Sequence, residues 1–318
     1  MELALQLLVQ AAQLALVLAA APLLVGYVRK VKARLLGRQG PPLAQPYRDL
    51  YRLLRKEVVL AHTASWVFRA APYLIFAATW VAAALVPTFA SGLVFSSAAD
   101  MIAIVALLGS ARFMLALAGL DVGTSFGGIG SSREMMIASL AEPAMLMVVF
   151  TLSLIAGSTQ LSSISAALQG PGIGLQVSLA LALVGLVMVA IAENGRIPID
   201  NPATHLELTM VHEAMVLEYS GRHLALIEAA SHLKLLLYVS VIGCVFAPWG
   251  IATSGQGAAA FAAGLAIYLA KMTAGGFLLA LFESVIAKMR VFRYSDFLGA
   301  SLMLGFLATL LLFVSRVG

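Results

Sequence analysis

Runs of apolar residues, each broken by a short polar or Gly/Pro-rich interval, extend along this chain from end to end. The hydrocarbon core of a bilayer is about 30 Å thick and takes roughly 20 apolar residues in a helix. On that measure the runs predict about eight spanning helices, at Leu3–Val28, Ala70–Ala90, Ala99–Leu120, Arg133–Ala156, Leu175–Glu193, Leu224–Trp249, Ala258–Phe282 and Phe297–Val314. The expected fold is all-α and polytopic, a single integral membrane domain over residues 1–318, with two longer polar segments at 29–69 and 194–223. Composition agrees. The chain is 61% hydrophobic and 11% charged, with a mean hydropathy of +0.97, whereas soluble domains are about 45–50% apolar.

Charge then orients the pattern. Arg29, Lys30, Lys32, Arg34, Arg38, Arg48, Arg52, Arg55, Lys56 and Arg69 crowd the first connection, Arg133 borders the third, Arg196 and Arg222 lie in the fifth, and Lys288, Arg290 and Arg293 in the seventh. The connections Ser91–Ala98, Gly157–Gly174 and Gly250–Gly257 hold no Lys or Arg. The positive-inside rule therefore places the odd connections in the cytoplasm and both termini outside. The net charge of +5 is a topology signal, and no nucleic-acid partner is expected. The first apolar block is too long for a signal peptide, lacks an Ala-x-Ala site and is stopped by Arg29-Lys30, so it is expected to stay as a span.

Candidate chemistry concentrates in "IPIDNPATHLELTMVHEAMVLEYSG", Ile197–Gly221, which carries Asp200, Glu207, Glu213, Glu218, His205 and His212. Asn201 suits an N-cap and Pro202 a first helical position, so a helix is expected from Pro202 towards Tyr219. At 100° per residue, Glu207 and Glu218 share one face and His205 and His212 the opposite one. "HEAMV" begins like the zinc motif HExxH, but Val216 stands where the second His belongs, so no metal site is expected. The single cysteine, Cys244, has no partner for an iron–sulfur cluster or a Cys-based zinc site.

Ionisable residues also enter the apolar runs. Glu142 precedes Pro143 in the fourth, Glu193 ends the fifth, Glu228 joins His232 and Lys234 in the sixth, and Glu283 closes the seventh, with Arg112 and Lys271 at similar depth. Such groups are costly in a membrane and commonly serve ion or proton pathways. A single one, such as Arg112 with Glu142, is equally well read as a structural ion pair. Several acids converging on one region favour a relay.

The segment "AENGRIPIDNPATHLELTMVHEAMVLEYSG", Ala192–Gly221, resembles the acidic loop of the complex I family of NADH dehydrogenase subunit 1, and more closely its branch in energy-converting nickel–iron (NiFe) hydrogenases of the formate hydrogenlyase and hydrogenase-4 type. Glu193-Asn194, Arg196, Pro198, Asp200 and Glu218-Tyr219-Ser220-Gly221 carry the match. Where the quinone-using branch has a denser run of glutamates, this chain has "NPATHLELTMVHEAM". The resemblance implies a multi-pass subunit of the bacterial or archaeal cytoplasmic (inner) membrane that binds no redox cofactor itself. It also implies hydrogenase-like large and small subunits and a ferredoxin-like subunit on the cytoplasmic side, bearing the NiFe centre and iron–sulfur clusters, and antiporter-like neighbours in the membrane. Whether a quinone enters stays open.

In "RLLGRQGPPLAQPYRDLYRLLRKE", Tyr47, Leu50, Tyr51, Leu54 and Val58 recur at helical spacing, with Arg48, Arg52, Arg55 and Lys56 between them. This predicts a basic amphipathic helix in the interface, serving anionic lipid or, as the resemblance implies, docking of the redox subunits. "DVGTSFGGIGSSREM" lacks the GK[ST] ending of a phosphate loop and is expected to be a tight turn, with Ser131 and Glu134 as a capping box.

Two functions follow. The first is an anchor and coupling subunit whose proton or ion pathway uses Glu142, Glu193, Asp200, Glu207, Glu213, Glu218 and Glu228, with Arg112, Arg133, Arg196, His205 and His212 around a cavity and Arg48, Arg52 and Arg55 docking. A quinone-site subunit of a complex I-type dehydrogenase is its nearest alternative. The second is an autonomous transporter, which would show internal repeats with paired broken helices; the two halves show no convincing repeat.

Overall fold

The structure is a computed structural model that describes residues 2–170, 177–200, 210–253, 256–287, 289 and 293–317. It is mostly helical. The long helices are α1 (Glu2–Leu35), α3 (Trp66–Leu85), α4 (Met101–Asp121), α5 (Ser125–Ala156), α7 (Val177–Glu193), α9 (Gly221–Val245), α10 (Ala258–Val285) and α11 (Tyr294–Val317). Three short helices lie between them: α2 (Gln45–Leu54), α6 (Leu161–Leu168) and α8 (His212–Val216). Among the described residues seven helices are long and apolar enough to cross a membrane, all the long ones except the 17-residue α7.

Local chemistry sets the ends. Asp100 caps α4 by accepting from the Ile102 amide at 2.7 Å, and Ser65 caps α3 by accepting from Val67 at 3.1 Å. The Ser65 amide also donates to Asp121 at 2.8 Å, fixing the start of α3 beside the end of α4. The second expected span, Ala70–Ala90, is displaced towards the N-terminus, because Val86 precedes Pro87 and takes an extended conformation that proline imposes on its predecessor. Beyond it, β1 (Ala90–Ser91) pairs in parallel with β2 (Ala252–Thr253), tying together two connections that lack Lys and Arg.

The Gly-rich connection is a correction to the expected turn and capping box. The turn is confined to Gly123, at φ 72°; Thr124 caps the helix by accepting from Gly127, and α5 runs through the rest. Its glycines serve packing. A Cβ on Gly127 would lie 2.1 Å from the Gly119 carbonyl oxygen, and one on Gly130 would lie 2.9 Å from Ala214 Cβ. Ser131 instead donates to the Ala116 carbonyl at 2.8 Å, and Glu134 turns into the bundle.

In the bundle, α4 packs between α3 and α5, α11 lies against α5 and α7, and α9 lies against α3 and α1, with α10 packed against both α1 and α9. The core, centred on Leu24, Ile104, Val148, Leu186 and Leu236, is bound by interhelical hydroxyl bonds such as Ser301 to the Gly185 carbonyl at 2.9 Å and Thr151 to Thr309 at 2.8 Å. Each is worth about 0.6 kcal/mol in a membrane, so shape and small residues do most of the packing.

Candidate ion pathway

Arg112 projects from the buried face of α4 and its side chain is 3% exposed. Three carboxylates from two other helices surround it. Its Nε lies 3.2 Å from Glu134 and its Nη1 3.9 Å from Glu142, both on α5, and its Nη2 pairs directly with Glu193 at the end of α7. The second oxygen of Glu193 is 3.8 Å from Lys234 Nζ on α9. Four helices thus contribute to one chain of alternating charge, Glu142–Arg112–Glu193–Lys234, buried except at its Glu142 end. Gly109 of α4 lies beside it: a Cβ there would meet the Glu142 carboxylate at 3.4 Å, an ordinary van der Waals contact.

Glu142 differs from its neighbours. Its side chain is 43% exposed, although it lies midway along a spanning helix, and Pro143 removes the amide that would bond the Ser139 carbonyl. Polar atoms at that depth are expensive against hydrocarbon.

A second cluster sits at the end of the bundle that bears the basic connections. Glu283 of α10 accepts from Lys32 of α1 at 2.7 Å and from Arg196, just after α7, at 3.3 Å. Burial pulls the Arg196 guanidinium below its ordinary value, Glu283 opposes this, and Arg29 adds to the lowering. Nearby, His232 and Glu228 of α9 face each other at 3.9 Å, and the Glu228 side chain is 42% exposed.

Part of the acidic stretch covers the first cluster. Glu207 and His205 lie outside the described residues. In the described part, 210–219, helix is confined to α8, so the expected continuous helix to Tyr219 is corrected: Leu217 and Glu218 form a turn and Glu218 is exposed. Arg133 of α5 donates to the Met210 carbonyl at 2.8 Å and holds the approach to α8. His212, the first residue of α8, is half-buried. Burial lowers its pKa first and the charge of Lys234 second, while Glu134, Glu213 and Asp200 pull the other way. The imidazole therefore sits within the electrostatic reach of both the stretch and the Arg112 cluster. Asp200 is buried and Glu213 half-buried. Tyr219 stacks on Phe68 at 3.9 Å and donates to its carbonyl at 3.0 Å, anchoring the exit of the stretch.

Sequence reasoning missed Glu134, which the capping-box spacing disguised, and left Lys32, Lys234 and Glu283 out of the candidate set. The signal for Glu134 is a burial pattern of small residues on α5: Gly127, Gly130, Ser131, Ala138 and Ala141 mark the same packed side of the helix. Arg48 and Arg52 on α2 and Arg55 just past its end are all exposed, with Arg55 over the Tyr51 ring at 4.3 Å. Among the described residues no group of three His, Cys, Asp or Glu side chains is placed to hold a metal.

The bundle and its buried charges define a polytopic membrane protein with ionisable groups arrayed across its interior. A family profile described as NADH dehydrogenase matches residues 8–314, and the chain belongs to that family, the complex I subunit 1 type. It is 34% identical to formate hydrogenlyase subunit 4 of Escherichia coli over 86% of this chain and 88% of that one. It is also 34% identical to hydrogenase-4 component C of the same organism over 75% of each chain. With NADH-quinone oxidoreductase subunit 8 of Rhodothermus marinus the identity is 29% over 71% of this chain and 68% of that one. The fold is similar to a chain of the membrane-bound sulfane sulfur reductase, an archaeal respiratory membrane complex, with a TM-score of 0.83, 18% identity, and coverage of 96% of this chain and 98% of that one. The resemblance read from Ala192–Gly221 is borne out.

Proposed function

We propose that this chain is the membrane anchor and coupling subunit of an oxidoreductase complex of the energy-converting hydrogenase type. It links redox chemistry in a cytoplasmic arm to proton or sodium movement in the bacterial or archaeal inner membrane. The carrying observation is the chain Glu142–Arg112–Glu193–Lys234 beneath α8, buried except at its Glu142 end. Alternating charges in low dielectric respond as a unit, so a proton gained at one carboxylate weakens its hold on the next cation and passes the change along. Asp200, Glu213 and His212 form the entrance, with Glu207 and Glu218 gathering protons, and Glu228 is a side branch. The exposed flank of Glu142 fits a hand-off to a neighbouring, antiporter-like membrane subunit, because an open carboxylate at that depth requires a polar partner. The exposed arginines on α2 and just past its end suit docking of hydrogenase-like large and small subunits and a ferredoxin-like subunit, which would carry the NiFe centre and iron–sulfur clusters. α7 is the eighth span, and both termini lie outside by the positive-inside rule.

The higher identity to the two hydrogenase relatives than to the NADH-quinone oxidoreductase subunit favours the hydrogenase reading over a quinone site. Purification of the tagged chain in mild detergent, with its partners identified by mass spectrometry, tests it. Co-purification of a NiFe large subunit is the expected result. A flavoprotein arm, or isolation of the chain alone, would overturn it.

A further inference from the structure

Helices α3 and α9 start at the end of the bundle that bears the basic connections and run side by side in the same direction. Phe68 stacks on Tyr219, just before α9, at 3.9 Å, and Tyr73 meets the His223 ring edge-on at 5.5 Å. Beside these contacts stand two cations, Arg69 after Phe68 and Arg222 before His223, both exposed. Among the described residues neither guanidinium is paired with a carboxylate. The acids of this end are engaged elsewhere: Glu57 and Glu218 are exposed in the connections, and Asp121 accepts from the Ser65 amide. None of these cations belongs to the two charged clusters described above.

Below each cation the helix continues as an apolar stripe. On α3, Arg69, Tyr73, Phe76 and Trp80 recur at i, i+4, i+7 and i+11, within about 60° of one another around the helix. Tyr73 is 47% exposed, while Phe76 and Trp80 are half-buried with their rings 6.0 Å apart. On α9, Arg222, Leu226 and Ala229 repeat the spacing and pass from exposed to half-buried. Arg69 and Trp80 are about 16 Å apart along the helix, close to one leaflet's share of about 30 Å of hydrocarbon. Between cations and rings lies His223, 5% exposed, whose Nδ1 has no hydrogen-bond partner among the described residues.

The positive-inside rule and the aromatic belt account for arginine at this end and for exposed Trp66 at the start of α3. They do not account for cations of two adjacent helices standing above one aromatic strip. Nor do they account for a buried imidazole nitrogen without a partner, since such groups are almost always satisfied.

We propose that this flank of α3 and α9 binds an anionic phospholipid from the leaflet on the side of the basic connections. The phosphate pairs with Arg69 and Arg222, whose planar donors match phosphate oxygens two at a time. One acyl chain lies along Tyr73, Phe76 and Trp80. A phosphate or ester oxygen accepts from His223 once the exposed Tyr73 side chain turns aside. A water-soluble protein segment would satisfy the arginines and leave the rings one to three turns further down α3 uncovered; a molecule with an anion at one end and hydrocarbon at the other covers both. The inference rests on the membrane placement and is independent of the coupling function.

The test uses the intact complex in bilayers that contain a trace of phosphatidylglycerol or phosphatidylcholine carrying a photoactivatable acyl chain, with labelled peptides mapped by mass spectrometry. The phosphatidylglycerol probe is expected to label the segments 69–80 and 222–229 about tenfold more than the phosphatidylcholine probe, since each cation near the surface favours an anionic lipid. Arg69→Gln with Arg222→Gln should bring the two probes level, and Arg222→Gln alone, at an exposed position, should remove part of the preference and carries the test if the double variant does not assemble. Arg38→Gln, an exposed cation elsewhere at the same end, should change nothing. Equal labelling by the two probes in the unmodified complex, or a preference that survives the loss of the arginines, overturns the site. An equal drop in Arg38→Gln also overturns it, by showing attraction to the surface at large. Displacement of the probe by inorganic phosphate at the concentration of the competing lipid would show that the aromatic strip adds nothing. No labelling of either segment, with loss of a protein subunit in the double variant, would make this flank a protein contact instead.

Discussion

Lys234 on α9 and Glu193 at the end of α7 face each other at 3.8 Å inside the bundle, and the same glutamate is paired through its other oxygen to Arg112. One carboxylate between two cations from different helices is both a mechanical tie and an electrostatic switch point. Its protonation would leave Arg112 and Lys234 unshielded from each other, a change that a buried array transmits strongly.

The tie should be visible in stability. Removing one member of a buried ion network typically costs about 3–5 kcal/mol, because the remaining charges lose their partner. Arg112→Gln leaves Glu134, Glu142 and Glu193 facing one another, and is expected to lower the Tm of the detergent-solubilised complex by several degrees. Arg112→Lys should recover only part of this, since a point charge cannot reach three carboxylates as a guanidinium fork does. An unchanged Tm in Arg112→Gln would show that the cluster does not hold the helices.

Gly127 and Gly128 are adjacent in α5 but not equivalent. A Cβ at 127 would lie 2.1 Å from the Gly119 carbonyl, whereas one at 128 meets nothing within 4 Å. Gly127→Ala should separate α4 from α5 at a cost of about 1–3 kcal/mol. Gly128→Ala should be neutral or stabilising by up to about 1 kcal/mol, through helix propensity. Thermal melts of the two single variants, compared side by side, check the contrast.

Acid should act through His212. Its folded pKa is lowered, first by burial and then by Lys234, so the unfolded chain is the better proton acceptor as pH falls through the usual histidine value of about 6.5. Stability is therefore complete above that value and declines below it. Between pH 7.5 and 5.5 the unmodified protein should lose more Tm than His212→Gln does; identical losses would remove His212 as the acid-sensitive group.

Charge reversal on α2 tests docking. Arg48, Arg52 and Arg55 are exposed, while Pro46 at the helix start packs beside Gly26 of α1. Changing all three to Glu should leave the chain inserted and release the peripheral subunits, scored by co-purification from membranes. If those arginines only attract anionic lipid, the complex will stay intact.

Much of the fold was legible because the bilayer imposes one rule, long apolar runs, and the eight expected runs match the long helices closely at α4, α7, α10 and α11. The misreadings have a common cause. Gly and Ser between Asp121 and Arg133 normally signal a turn, but here Gly127 and Gly130 are small so that α5 can approach α4 and α8. Glu134 had the spacing of a cap and is a ligand of Arg112 instead. Which acids meet was not legible, since Glu193, Arg112 and Lys234 are brought together by three separate helices and no local spacing encodes that encounter. His212 and Glu218 were placed by helical periodicity, which fails once the helix stops at Val216.

The central claim is that the buried chain through Glu193 couples redox chemistry to ion movement. Glu193→Gln preserves size and hydrogen-bonding capacity while removing titration. The direct measurement is the ratio of ions translocated to hydrogen evolved by the assembled complex in sealed vesicles. The account expects Glu193→Gln to assemble, to retain hydrogen evolution when the vesicles are made leaky with protonophore, and to lose translocation at least tenfold. An assembled variant with an unchanged ratio would contradict it.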